Sequence, residues 1–123
     1  MHNYRRLVVW NDSRSLVAEI YKATSGFPPG ERFGLTQQIR RASVSIPSNI
    51  AEGAGRETPA EFARFLRIAI GSACEVETQL DLGLDLGFIE TPNHLELQDR
   101  LEGIRLKLRA LHDHTKGNAT GTT

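Results

Sequence analysis

Apolar residues recur along most of the chain at alternating steps of three and four, the spacing of one face of an α-helix. One series predicts a third helix and runs through Phe62, Leu66, Ala69, Ala73, Val76, Leu80, Gly83 and Gly87. Another predicts a fourth helix and consists of Leu97, Leu101, Ile104, Leu108 and Leu111. No useful length of sequence alternates with the period of two that a half-buried strand requires, so the pattern predicts an all-α fold.

Capping residues mark the ends of these two helices. Thr58-Pro59-Ala60-Glu61 is a capping box with proline at the first helical position, and it predicts the start of the third helix. Thr91-Pro92 repeats the first two elements for the fourth helix, which we expect to end at His114. Gly87 suits the left-handed residue that follows a helix, so the third helix should end near it.

The first half of the chain predicts two more helices. The first runs from Trp10 or Asp12 to Thr24 and carries Leu16, Val17, Ile20 and Tyr21 on one face. Segment 31–55 then places Leu35, Ile39, Ala42, Ile46 and Ile50 in helical register. Pro47 lies inside that register and removes a backbone hydrogen bond. Because the register continues in phase across it, we predict a single second helix, kinked at Pro47 and closed by Gly53 and Gly55.

Short connections make consecutive helices antiparallel. The predicted fold is therefore an antiparallel up-down-up-down four-helix bundle over residues 1–115, followed by a disordered C-terminal tail over residues 116–123. Six apolar residues lie off the main seams of the third and fourth helices: Ile68, Ile70, Leu82, Leu86, Leu95 and Leu106. They indicate either burial against another subunit or a generous core with scattered exposed leucines.

Composition narrows the possible functions. The 123 residues have a formal net charge of zero, which does not indicate a strong nucleic-acid binder. Residues 1–56 nevertheless carry eight basic and four acidic side chains, and residues 57–87 carry two and six. Cys74 is the one cysteine, so we expect a reducing, cytoplasmic setting and a buried, inert thiol. No segment approaches the length of a transmembrane helix.

The sequence offers no constellation for catalysis. The Glu-x-x-His spacing of di-iron bundles does not occur, and the four histidines do not converge on one helix face: His2, His94, His112 and His114. We therefore predict a non-enzymatic protein with no catalytic residue, no metal site and no cofactor.

A polar stripe lies opposite the apolar face of the second helix. It consists of Gln38, Arg41, Ser45, Asn49, Glu52 and Arg56. One interpretation is that its arginines and amides contact phosphates. The other is a structural network in which Arg41 or Arg56 pairs with Glu75, Glu77 or Asp81, while Ser45 and Ser48 compensate the carbonyl that Pro47 leaves unbonded.

This tract resembles a known family. The residues that carry the resemblance are Phe27-Pro28, Glu31 to Leu35, Gln38 to Ala42, the stretch Ser45-Ile46-Pro47-Ser48-Asn49-Ile50-Ala51-Glu52-Gly53, Arg56, and several positions from Glu61 to Leu80. Similar residues occur in the small four-helix-bundle proteins encoded in 23S rRNA intervening sequences and in the accessory variability protein of diversity-generating retroelements. The resemblance covers about residues 7 to 112.

The resemblance implies a ring-like homopentamer. In the retroelement branch it further implies work with a reverse transcriptase and nucleic acid, for which Arg32, Arg40, Arg41 and Arg56 are the candidate contacts here. Those relatives are cationic, whereas this chain is neutral. Two hypotheses follow: an oligomeric adaptor that binds RNA or DNA, or a scaffold that binds only its own copies or another protein.

Overall fold

A computed structural model describes the backbone of residues 2–121 and the side chains of residues 2–117. Four α-helices form the described chain, with no strand among its residues: α1 (Val8–Thr24), α2 (Leu35–Ala54), α3 (Pro59–Asp85) and α4 (Thr91–Gly121). Two short 3-10 helices, Tyr4–Arg6 and Pro29–Glu31, precede α1 and α2. The helices pack in a closed order, α1 on α2, α2 on α3, α3 on α4 and α4 on α1. With short connections this order gives the predicted antiparallel four-helix bundle.

The predicted caps of α3 are confirmed. The Thr58 hydroxyl accepts a hydrogen bond from the backbone N–H of Glu61 at 3.2 Å, and Pro59 is the first helical residue. At the other end Gly87 has a φ of 77°, a left-handed conformation that glycine adopts without strain. The Phe88 N–H then donates to the Gly83 carbonyl at 2.8 Å, which completes a Schellman cap.

The core is built from the predicted seams. The apolar residues predicted for α2 and the seam of α3 up to Gly83 are buried, as are the first four of α4; Leu111 is partly buried. Tyr21 departs from the prediction, because its side chain is 43% exposed. The buried face of α1 runs instead through Val9, Ser13, Leu16 and Ile20. The prediction therefore included Tyr21 in the buried face of α1, whereas the helix is rotated so that Tyr21 points outward.

The ends of α1 and α4 also differ from the prediction. The first helix begins at Val8, since Val9 is buried and belongs to the core. The fourth begins at Thr91 and continues to Gly121, well past His114. Burial of His112 and Thr115 gives this last part tertiary contacts, and a glycine in a helix costs only about 1 kcal/mol. The predicted disordered tail falls partly on residues 122 and 123, which lie outside the described residues.

α2 and α3 approach each other closely at a glycine. α2 continues as one helix through Pro47, as predicted. Gly53, however, is not its end but a buried residue of its last turn. A Cβ atom at Gly53 would lie 2.6 Å from Cβ of Phe65 and 3.0 Å from Cδ1 of Phe62. The absence of a side chain is therefore what lets the two helices pack at this distance.

Candidate binding surface

Arg40 joins α2 to the C-terminal end of α1. Its Nε donates to the hydroxyl of Thr24 at 2.8 Å and its Nη2 to the carbonyl of Tyr21 at 3.3 Å. The guanidinium carbon also lies 4.5 Å from the centre of the Tyr21 ring. A cation beside the last carbonyls of a helix is favourable. Of the four candidate arginines, Arg40 is thus the one used between helices.

Arg56 makes local contacts near the end of α2. Its Nη2 donates to Oε1 of Glu52 at 3.0 Å, and the guanidinium lies over the ring of Phe65. Both charged side chains of the pair are about half exposed. The interpretation that pairs Arg56 with an acid of α3 is wrong, because its partner is Glu52, four residues earlier in the last turn of α2.

The middle of the polar stripe binds to α3 and to its own helix. The hydroxyls of Ser45 and Ser72 form a hydrogen bond of 2.8 Å between α2 and α3. The Asn49 amide donates to both the carbonyl and the hydroxyl of Ser45, at 2.8 and 2.9 Å. Ser48 is exposed. The middle of the stripe therefore forms a polar network between α2 and α3, but with other partners than the structural interpretation named. The Ser45 hydroxyl is bonded to Ser72 and Asn49 and not to the carbonyl that Pro47 leaves unbonded.

An open groove of about 500 Å³ lies where α1 and α2 meet, at the end of the bundle that holds the start of α2. We call it the α1–α2 groove. Its apolar part consists of Tyr21, Phe33 and Val44, and the Phe33 side chain is 78% exposed. Its remaining lining residues are Arg32, Thr36, Gln37, Arg40, Arg41 and Ser45. No acidic residue lines the groove, so it is both apolar and positively charged.

Arg32 and Arg41 are the two exposed candidate arginines of this groove. The Arg32 guanidinium lies 5.2 Å from the centre of the adjacent Phe33 ring. Arg41 has no ion pair or hydrogen bond to any side chain in the described part of the chain. On its other side Arg41 shares a shallow groove between α2 and α3 with Gln38 and Glu75. The predicted pairing of Arg41 with Glu75 is not made there.

The outer side of α3 is exposed along most of its length. We call this surface the α3 face; it comprises Ile68, Gly71, Cys74, Glu75, Thr78, Leu82, Asp85 and Leu86. Leu82 and Leu86 are 46% and 58% exposed. Cys74 is exposed as well, so the expectation of a buried thiol is wrong. Gly71 and Thr78, one turn before and one turn after Cys74, were the signal in the sequence that this part of α3 faces outward.

Several polar contacts between α3 and α4 were not predicted from the sequence. His94 at the start of α4 is buried, and its Nε2 lies 2.8 Å from Oδ1 of Asp81. The amide of Gln98 donates to the same oxygen at 3.0 Å. Two turns further along α4, Nε of Arg105 donates to Oε1 of Glu77 at 2.9 Å. Two of the three acids suggested as partners for α2, Glu77 and Asp81, are thus used by α4 instead.

Neither a metal-binding cluster nor a membrane-spanning helix occurs among the described residues. Within residues 2–117 no three His, Cys, Asp or Glu side chains are grouped so that they could hold a metal ion. Over the same part of the chain, no helix combines the length and apolar character needed to cross a membrane.

Fold and surface together define a helical-bundle protein with an exposed, partly apolar surface groove. The sequence profile of one family, the 23S rRNA-intervening sequence proteins, matches residues 5–110, and the chain belongs to that family. Among solved structures, a protein of unknown function from the S23 ribosomal protein family of Bacteroides thetaiotaomicron VPI-5482 is similar. It is 26% identical, with a TM-score of 0.77 over 85% of this chain and 98% of that chain. No curated protein matches.

These comparisons confirm the resemblance to the 23S rRNA intervening-sequence proteins. Neither the family nor the solved relative is named for an enzymatic activity.

Proposed function

We propose that the protein is a non-enzymatic, cytoplasmic subunit of a homo-oligomer, and that the oligomer is the homopentamer that the family resemblance implies. The observation that carries this proposal is the exposure of large apolar side chains on a bundle whose core is already complete. Six of them are at least 40% exposed on α3, α4 and the start of α2: Phe33, Ile68, Leu82, Leu86, Leu95 and Leu106. Scattered exposed leucines are common, but apolar residues clustered on helix faces are typical of protein interfaces.

The test is a measurement of mass in solution by light scattering and sedimentation equilibrium. The expected result is a stable species of about five times the chain mass of 13.7 kDa, unchanged over a wide range of salt, since apolar contacts are screened little by ions. A species of 13.7 kDa at all concentrations would contradict the proposal.

Nucleic-acid binding, with an accessory role for a reverse transcriptase, is a second candidate function. The observation in its favour is specific: Arg32 and Arg41 are exposed and line the same groove as the rings of Phe33 and Tyr21, and no acid lines that groove. Arginines contact phosphates, and exposed aromatic rings stack on unpaired bases.

This second function is tested by fluorescence anisotropy with a structured RNA and a single-stranded DNA across a salt series. Arg41→Ala is expected to weaken binding and to lower the slope of log K against log salt by about 1, as loss of one phosphate contact does. Arg109→Ala is the matched control, because Arg109 is exposed on α4 outside the groove. If the wild-type protein does not bind nucleic acid even at low salt, the second function is wrong. The hypothesis that remains is a scaffold that binds only protein.

A further inference from the structure

The α1–α2 groove and the α3 face are complementary in chemistry. The groove presents Phe33, Tyr21 and Val44 with three arginines and no acid. The lower half of the α3 face, from Glu75 to Leu86, presents Leu82 and Leu86 with Glu75 and Asp85. That segment contains no Lys or Arg. Aromatic side chains and arginine are enriched at protein interfaces, and opposite charges fix which surfaces meet.

Arg40 of the groove is bonded to α1, but Arg32, Arg41 and the two acids of the α3 face take part in no ion pair in the described part of the chain. The ion pairs of the described side chains link residues within one helix, α3 to α4, or α1 to α4, and none joins α2 to α3. Asp85 and Glu75 are exposed and take part in none of these pairs. The positive groove and the acidic part of the α3 face therefore remain uncompensated within one chain.

The two surfaces also lie at the same height of the bundle. Because α2 and α3 are antiparallel, the start of α2 lies beside the end of α3. The side chains show it directly, since Gln38 of α2 lines one shallow groove together with Leu82 of α3. A second copy rotated about an axis parallel to the helices can thus bring its α3 face against the α1–α2 groove without sliding along the bundle. Such a contact joins two different surfaces, and repeated by rotation it closes a ring.

We propose that the α1–α2 groove of one copy receives the α3 face of the next copy, with Leu82 and Leu86 against Phe33 and Tyr21 and Asp85 near Arg32 and Arg41. This assignment rests on the proposed homo-oligomer and adds which surfaces form it. It makes the contact heterologous, so each copy uses its groove toward one neighbour and its α3 face toward the other.

The test uses one variant for each surface. Phe33→Glu places an acid and removes the ring in the groove, and Leu82→Arg places a cation on the α3 face where it meets the arginines of the neighbour. Phe33 is 78% exposed and Leu82 46% exposed in the single chain, so each variant is expected to keep the wild-type far-UV circular dichroism. Each is expected to fall from the wild-type mass to 13.7 kDa in sedimentation equilibrium. Val8→Arg is the matched control at the opposite end of α1, where Val8 is 64% exposed, and it should keep the wild-type mass.

Mixing the two variants distinguishes this contact from any symmetric one. Phe33→Glu chains retain an intact α3 face, and Leu82→Arg chains retain an intact groove. Their mixture is expected to form a 1:1 dimer of about twice 13.7 kDa that grows no further, because both remaining surfaces are defective. A mixture that stays monomeric overturns the assignment.

Other results separate the possible failures. A wild-type protein that is itself monomeric removes the proposed oligomer and this contact together. If the wild-type protein is an oligomer that survives both substitutions, only the proposed contact is wrong. The same holds if Val8→Arg also dissociates the oligomer. A Phe33→Glu variant that keeps its mass but loses binding to single-stranded DNA would assign the groove to nucleic acid instead, and the inference would be wrong.

Discussion

The close approach of α2 and α3 makes Gly53 the most informative position for a stability measurement. Substitution by Ala would place a Cβ atom 2.6 Å from Cβ of Phe65, 3.0 Å from Cδ1 of Phe62 and 3.3 Å from its carbonyl oxygen. The Cβ of Phe65 is fixed by the backbone, so no rotamer change relieves the contact and one helix must move. Overpacking of this kind costs up to about 3 kcal/mol.

The same substitution also brings a gain, because Ala favours a helix over Gly by about 1 kcal/mol. The net expectation for Gly53→Ala is a loss of about 2 kcal/mol. In a domain of this size that lowers Tm by roughly 8 °C. Gly103→Ala is the matched control: it lies within α4, and a Cβ there meets nothing within 4 Å. It is expected to raise Tm by up to about 4 °C.

Thermal unfolding followed by circular dichroism measures both variants, at one chain concentration because assembly makes Tm depend on concentration. Equal Tm shifts in the same direction would show that helix propensity alone determines the effect of both substitutions. A Gly53→Ala variant as stable as the wild type would refute the close packing of α2 and α3 at this turn.

Three further predictions concern single side chains. Arg40→Ala loses two hydrogen bonds to α1, so in urea titrations it should lower the free energy of unfolding by about 1 to 2 kcal/mol. Arg109→Ala should change the same quantity by less than about 0.5 kcal/mol. Equal effects of the two substitutions would contradict the role of Arg40. Thr58→Ala should cost about 1 kcal/mol by the same measurement and Thr58→Ser much less, since serine also caps a helix. In the Leu82→Arg variant Cys74 should react with a thiol reagent without denaturant; reaction only after unfolding would contradict its exposure.

The fold could be predicted from the sequence because it depends on local signals. The spacing of the apolar residues determines which side of each helix is buried, and Thr58 and Gly87 mark the ends of α3 through hydrogen bonds within a few residues. The same reasoning failed at Tyr21 and at the end of α4. Those positions depend on how far a helix is rotated against its neighbours and on burial of single residues such as Thr115, which periodicity alone does not determine.

The candidate site could be predicted only in part. The arginines of the tract are individually visible in the sequence, but Arg40, Arg41 and Arg56 have three different environments in the structure. Which acid pairs with which base depends on the relative heights of the helices, and α3 offers several acids within two turns. The groove itself was missed, because exposure of Phe33 and Tyr21 follows from the way α1 meets α2 and not from either segment alone.

The stretch from Ser45 to Gly53 carries the most specific part of the family resemblance, and its side chains are mainly used in packing. Ile46 and Ile50 are fully buried, Ser45 bonds to α3, and Gly53 allows the close approach. Identity in this stretch therefore indicates how α2 sits against α3, and not what the protein binds. Substitutions of its buried residues are expected to destabilise the bundle whatever its partner. Substitutions of exposed residues beside this stretch, such as Phe33 and Arg41, test partner binding without destabilising the fold.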